Sequence, residues 1–208
     1  MATLQDAMTL ARSVIQDTDS TNYRYSDADL LSYGNQAIGQ MAIVAGKLFY
    51  TTTEIVCIAG TPMQRLNGVN SVRLADILCV VGGDAVTVKD REALTTSDPG
   101  WMSTTPGPAQ HWCVLGDDPN AFLIYPPAPA GQALLAVYVP TPPTYAATDP
   151  LPFSDVYTAP IAGFIAGMAE SRDDVAVNTQ KAQAGFQMFY AAFNPPGQQT
   201  QQPQPQRT

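Results

Sequence analysis

Thirteen of the eighteen prolines in this 208-residue chain fall between Pro99 and Pro160. Proline fixes φ and lacks a backbone N–H, so neither a long helix nor a central strand can run through a dense proline stretch. Long helices are thereby confined to the ends of the chain, and the middle must be short strands and loops. Proline is densest in Ser97 to Ala109 and in Pro140 to Pro152, and each reads as a long loop or arm. Loops beyond about 12 to 15 residues within a compact domain are usually functional. The second stretch, with Pro140, Pro142, Pro143, Tyr145, Pro150 and Pro152, is therefore expected to reach toward an adjacent subunit. The plainer alternative is a long connection lying on its own domain.

The ends carry helical periodicity. Leu4, Ala7, Met8, Ala11, Val14 and Ile15 recur on one face from about Thr3 to Asp17, which predicts a first helix. After a polar turn, Ser26 can cap a second, with Asp27 and Asp29 favourable at its positive end. Its apolar face, from Leu30 to Ala45, is rich in small residues and suits close packing on another helix. Helical patterning resumes near Asp155, where Tyr157, Ile161, Phe164, Ile165 and Met168 share a face. Gly163 and Gly167 there mark a close contact between two helices. A fourth helix from about Asp174 is defined by Ala182, Phe186, Phe189 and Phe193 and stopped by Asn194-Pro195-Pro196.

Between these ends, short apolar or alternating runs are separated by Gly, Pro, Asn and Asp: Glu54 to Ile58, Val72 to Val81, Ala85 to Lys89, Gln110 to Leu115, Ala121 to Tyr125 and Ala133 to Val139. The expected fold is α+β: a four-helix bundle from the N- and C-terminal helix pairs, with a small antiparallel β-domain inserted between them. The expected divisions are an N-terminal helical hairpin (1–50), the β-domain with its proline-rich arms (51–153), a C-terminal helical pair (154–194) and a Gln/Pro tail (195–208). The last fourteen residues, with six Gln, four Pro and no hydrophobic side chain, cannot offset their ordering entropy alone.

Charge narrows the function. Eighteen acidic against ten basic residues give a net charge of −8, the opposite of the dense basic footprint that phosphate binding requires. Charged residues make up only 13% of the chain against about 25% usually, so much of the surface must be uncharged or covered by partners. The longest apolar run, Ile161 to Ala169, is nine residues, and a membrane helix needs about 20. The first residues have neither the basic nor the apolar region of a secretion signal, so a reducing compartment is expected. Cys57, Cys79 and Cys113 fit neither a disulfide framework nor a metal knuckle.

Catalytic and metal chemistry finds no foothold. His111 is the only histidine, which rules out a multi-histidine metal site, and it lies in a strand-like run. Gly46-Lys47 has Met41 and Leu48 where a phosphate loop needs glycine and a hydroxyl. Asp17-Thr18-Asp19 has Asn22 and Ala28 where a calcium loop needs glycine and glutamate. The acid pairs Asp117-Asp118 and Asp173-Asp174 are adjacent in sequence and do not face one cleft, as acid–base work requires. The expectation is no enzyme, no cofactor and no metal.

Three stretches carry a resemblance. They are Leu10-Ala11-Arg12 to Asp17-Thr18 with Arg24-Tyr25-Ser26-Asp27-Ala28-Asp29-Leu30-Leu31-Ser32-Tyr33 and Asn35-Gln36-Ala37; Pro119-Asn120-Ala121-Phe122-Leu123-Ile124-Tyr125-Pro126-Pro127-Ala128-Pro129-Ala130-Gly131; and Phe153-Ser154-Asp155-Val156-Tyr157. In this order the chain resembles the head-to-tail adaptor (connector) proteins of tailed bacteriophages, of the short-tailed type. The resemblance implies a virion structural protein at the neck, present in host cytoplasm during assembly. It implies a ring homo-oligomer of 12 copies that sits under the portal protein, extends the DNA channel without binding DNA specifically, and docks the tail or nozzle protein. Pro195, Pro196, Gln198, Gln202, Pro203, Pro205 and Arg207 are then candidates for docking on the portal, against a tail with no partner. Trp101 and Trp112 are candidate loop anchors, or simply buried. The competing readings are a virion-associated receptor- or glycan-binding module, which predicts aromatics exposed on one loop face, and a hydrolase with a carboxylate site.

Overall fold

The first helix starts at Thr3, whose side chain accepts from the Asp6 N–H (3.2 Å) while the Asp6 carboxylate accepts from the Thr3 N–H (2.9 Å), a reciprocal cap. The computed structural model describes residues 1–116, 118–172 and 179–193. These form two compact units, one of residues 1–44 with the described residues from 142 onward, the other of residues 45–141.

In the first unit, α1 (Leu4–Ile15) ends at Gln16, which takes up a left-handed conformation with φ 61°. Helix α2 (Asp27–Val44) begins where the Ser26 hydroxyl oxygen accepts from the Asp29 N–H at 3.1 Å. At Gly34 a Cβ would stand 2.9 Å from Leu4 Cδ2, so α2 meets the start of α1 closely and a larger residue there would have to displace the Leu4 side chain. The third helix of the unit, Thr158–Glu170, is buried from Pro160 to Gly167 and again at Ala169 and Glu170; as the fourth α-helix in chain order it is α4. Helix α5 (Thr179–Phe193) packs on it through Ala182, Gly185 and Phe189. A Cβ on Gly185 would lie 2.4 Å from Gly163 O and 2.9 Å from Gly167 N. The paired glycines thus mark the helix contact expected of them.

Among its described residues the second unit holds α3 (Arg91–Ser97) and seven strands: β1 (Thr51–Val56), β2 (Met63–Arg65), β3 (Ser71–Val80), β4 (Thr87–Val88), β5 (His111–Val114), β6 (Ala121–Tyr125) and β7 (Ala133–Pro140). They form a three-stranded sheet ordered β1-β7-β3 and a four-stranded sheet ordered β2-β6-β5-β4. Ile55, Ile77, Leu134 and Ala136 of the first sheet share one core with Trp112, Phe122 and Ile124 of the second. On the other face of the second sheet, Leu123 and Cys113 pack with Leu94 of α3 and with Trp101. β6 is therefore covered on both faces, which is why its sequence is a continuous apolar run rather than an alternation.

This architecture corrects the expected one. Among the described residues the chain is α+β with five α-helices and two sheets of three and four strands, not a four-helix bundle with a small inserted antiparallel β-domain. Helix α4 is surrounded by α1, α2 and α5, and α5 packs chiefly on α4 instead of closing a bundle with the N-terminal pair. The physical cause is that Ile161 to Ala169 is apolar all round, so the helix takes a central position. In the second unit β4 and β5 pair in parallel, and α3, capped by Asp90, fills the stretch between the expected strand ending at Lys89 and the expected loop starting at Ser97, for which no element is expected from the sequence.

Candidate functional site

The groups with chemical potential are mostly spent on structure. His111 is half-buried, with Nδ1 2.7 Å from Thr87 Oγ1 and its ring stacked on Tyr125 at 6.2 Å. Burial, helped by Lys89, holds its pKa below the ordinary value. The three cysteines are free, and burial raises the thiol pKa of Cys57 and Cys113. Among the described residues no group of His, Cys, Asp or Glu is arranged to hold a metal. Asp118 pairs with Arg65, whereas Asp117, Asp173 and Asp174 lie outside the described residues. Gly46-Lys47 opens a one-turn helix, Gly46–Phe49.

The first resemblance stretch builds an ionic knot between α1 and α2. Arg12 is 7% exposed and donates to Asp17 Oδ2 (2.5 Å), Tyr25 O (2.9 Å) and Asp27 Oδ1 (2.6 Å). Its guanidinium also lies 3.6 Å from the centre of the Tyr23 ring. Asp17, also 7% exposed, accepts from the backbone N–H of Arg24 (2.7 Å) and Tyr25 (3.3 Å). Two further pairs tie the turn and the start of α2 to the end of α4: Arg24 with the buried Glu170 at 3.9 Å, and Arg172 with Asp29 at 3.0 Å. The sequence did carry a signal for this knot, since Arg12 interrupts the apolar stripe of α1. A buried arginine must be paired.

The second stretch is the β6 core strand and the loop after it, with a cis peptide at Tyr125-Pro126 and a fully buried Ala128. In the third, Ser154 caps a helical turn and Asp155 accepts from the Ala2 N–H at 2.7 Å. Phe153 and Tyr157 meet edge to face, and Tyr157 stacks on Phe193 of α5 at 5.5 Å. All three stretches thus prove to be turn, cap and core positions.

The proline arm leaves β7 at Pro140, and its centre lies along its own helical unit. The Asn35 side chain holds both backbone groups of Tyr145, the Gln5 N–H donates to Ala147 O (2.8 Å), and the Leu151 N–H donates to Ala2 O (3.0 Å). Thr3 and Pro150 form a β-bridge. Pro140, Pro142 and Tyr145 are half-buried, whereas Pro143, Pro150 and Pro152 are exposed. Pro195, Pro196, Gln198, Gln202, Pro203, Pro205 and Arg207 lie outside the described residues. Trp101 and Trp112 are 2% and 5% exposed and serve as core. Among the described residues of the unit 45–141, Tyr50 is the single exposed aromatic.

Against models of protein families, residues 2–208 match that of the SU10 adaptor protein. The chain belongs to the SU10 adaptor protein family. The resemblance to phage head-to-tail adaptors read from its three stretches is thus established at family level, and the chain is a phage adaptor, a structural protein. No curated protein matches it. For an adaptor the working parts are surfaces, so the exposed side of the arm and the exposed helix faces take the place of an active site.

Proposed function

We propose that this adaptor forms a ring between the portal and the tail nozzle, extends the DNA channel and docks the tail proteins. The observation that carries the reading is the family match over residues 2–208. The net charge of −8 supports it physically, because an acidic wall repels duplex phosphates across a narrow, poorly screened channel and keeps passage free of sticking. The low charge content supports it as well, since interface cores are depleted of charged residues. In the ring, the exposed outer side of the arm at Pro143, Pro150 and Pro152 contacts the adjacent subunit. The Pro195 to Thr208 segment adds to the portal, where an extended Pro/Gln segment can lie in a groove at small further entropic cost. The role is passive, without catalysis or cofactor, at the neck of the virion.

Native mass analysis of the purified chain with and without its portal tests this. A closed oligomer of 12 copies on the portal is the expected result, and a persistent monomer or trimer contradicts it. Truncation after Phe193 should leave rings unable to hold on to DNA-filled heads; unaltered attachment would remove the tail from the proposal.

A further inference from the structure

Glu170, the last residue of α4, is 2% exposed. The other buried acid among the described residues, Asp17, is fully engaged by Arg12 and two backbone N–H groups. Glu170 has no such set. Among the described residues no hydrogen-bond donor reaches its carboxylate, and its ion pair is with Arg24 Nη1 at 3.9 Å, beyond hydrogen-bond distance. The same side chain lines a pocket of about 180 Å³ between α1, α4 and α5. Val14 and Ile15 of α1, Ala166 of α4, and Ala184 and Met188 of α5 give that pocket apolar walls, and the two alanines are too short to fill it. All of these residues belong to one compact unit.

A cavity of about 150 Å³ is enough to hold benzene, so this pocket takes one side chain and no more. Its walls suit a hydrocarbon stem, and its buried carboxylate calls for a cation that carries hydrogen-bond donors. Arginine meets both demands. Its stem lies readily along apolar surface, its planar fork donates two parallel bonds to a carboxylate, and its weak hydration suits it to buried ion pairs. A neutral occupant would cover Glu170 without giving it a partner, and an anion would be repelled. Lys181, exposed, lines the pocket as well. Of these two charges the buried one acts at the lower effective dielectric and dominates. Desolvated pockets that receive one arginine are typical of the few contacts that carry a protein–protein interface, and the chain belongs to an adaptor family.

We propose that this pocket is a socket for one arginine side chain of a partner protein, with Glu170 as its counter-ion; this rests on the adaptor role and not on the ring. The test titrates n-butylguanidinium into the full chain labelled with ¹³C at its methionine methyl groups. The Met188 methyl should shift saturably, while Met102, in the other unit, stays in place. Met8 and Met41, buried in the same unit as the pocket, report that each variant is folded. Glu170→Gln keeps the shape and should weaken binding roughly tenfold, whereas Lys181→Met removes a like charge and should tighten it. Ala184→Leu, at an exposed position, fills the space and should abolish the shift. The neutral n-pentanol should not distinguish wild type from Glu170→Gln. No shift, or equal binding of the cation by Glu170→Gln, would overturn the proposal and leave the ring reading intact, since this arm uses the isolated chain. In assembled particles, Ala184→Leu should be retained several-fold less well than Ala184→Ser, which leaves the pocket open. Equal retention of the two, even with the probe bound in solution, would show that no partner side chain enters and would overturn the proposal as well.

Discussion

The side-chain amide of Asn35 grips the backbone of Tyr145, its Oδ1 accepting from the Tyr145 N–H at 2.8 Å and its Nδ2 donating to the Tyr145 carbonyl at 3.0 Å. One side chain thereby satisfies both polar groups of a residue in a proline-flanked segment that can join no sheet ladder. The contact spans 110 positions of sequence and fixes the arm to α2. Asn35→Ala should cost about 1 to 3 kcal/mol, because two half-buried backbone groups lose their partners. It should also speed hydrogen exchange at residues 145–151 while leaving the β unit unchanged. Unaltered exchange in the arm would show that the prolines alone hold it.

Arg12 and Asp17 are predicted to behave as a buried pair. Arg12→Ala leaves the Asp17 carboxylate buried without its cation and should cost about 3 to 5 kcal/mol, read as a lowered unfolding midpoint. The double variant Arg12→Met/Asp17→Leu should recover only part of that loss. Asp17 also accepts from the backbone of Arg24 and Tyr25, and leucine leaves those donors unsatisfied. Full recovery would mean that the knot acts as a charge pair only.

Gly185→Ala drives a methyl group to 2.4 Å from the Gly163 carbonyl oxygen, so α4 and α5 must move apart. Overpacking of this kind costs about 1 to 3 kcal/mol. Gly39→Ala is the control: it lies in α2 with no atom within 4 Å of the new methyl, and it should stabilise by roughly 0.5 to 1 kcal/mol. Denaturant midpoints moving in the same direction for both would contradict the close crossing.

Acid should act in two stages. Burial, then Lys89, holds His111 below its ordinary 6.5. As pH falls below that value the unfolded chain takes up a proton that the folded chain resists, so stability present above it is lost through the folded pKa. His111→Gln should abolish this first stage, seen as a flatter midpoint between about pH 7.5 and pH 5. At lower pH, Asp6 is held below its usual 3.8 by hydrogen bonds from Thr3, and Asp29 by the Ser26 hydroxyl and Arg172. Their contribution is present above that value and is lost as pH falls through the folded pKa values. A first stage that persists in His111→Gln would refute its assignment.

Local signals were legible in the sequence and tertiary ones were not. Thr3, Ser26 and the apolar stripe of α1 announce the first two helices because caps and periodicity act within one turn. The α5 face Ala182–Phe189 was equally plain. The bundle was misread because α4 was assigned one apolar face, when Ile161 to Ala169 has apolar residues in every direction. Helix α3 escaped notice although Asp90 and Glu92 mark its start, since a seven-residue helix has too little periodicity to see. The parallel β4–β5 pair and the three-residue β2 depend on partners distant in sequence. So does the docking of Tyr145 on Asn35. The arm was recognisable from its prolines, but nothing local says which surface it meets.

The most direct measurement is an image of the particle neck at a resolution that resolves helices. The account predicts copies of this fold arranged as one closed collar between portal and tail nozzle, with no ordered contact to the DNA inside. Finding the chain at the tail tip or on the capsid surface, or as isolated copies that do not close around the channel, would contradict it.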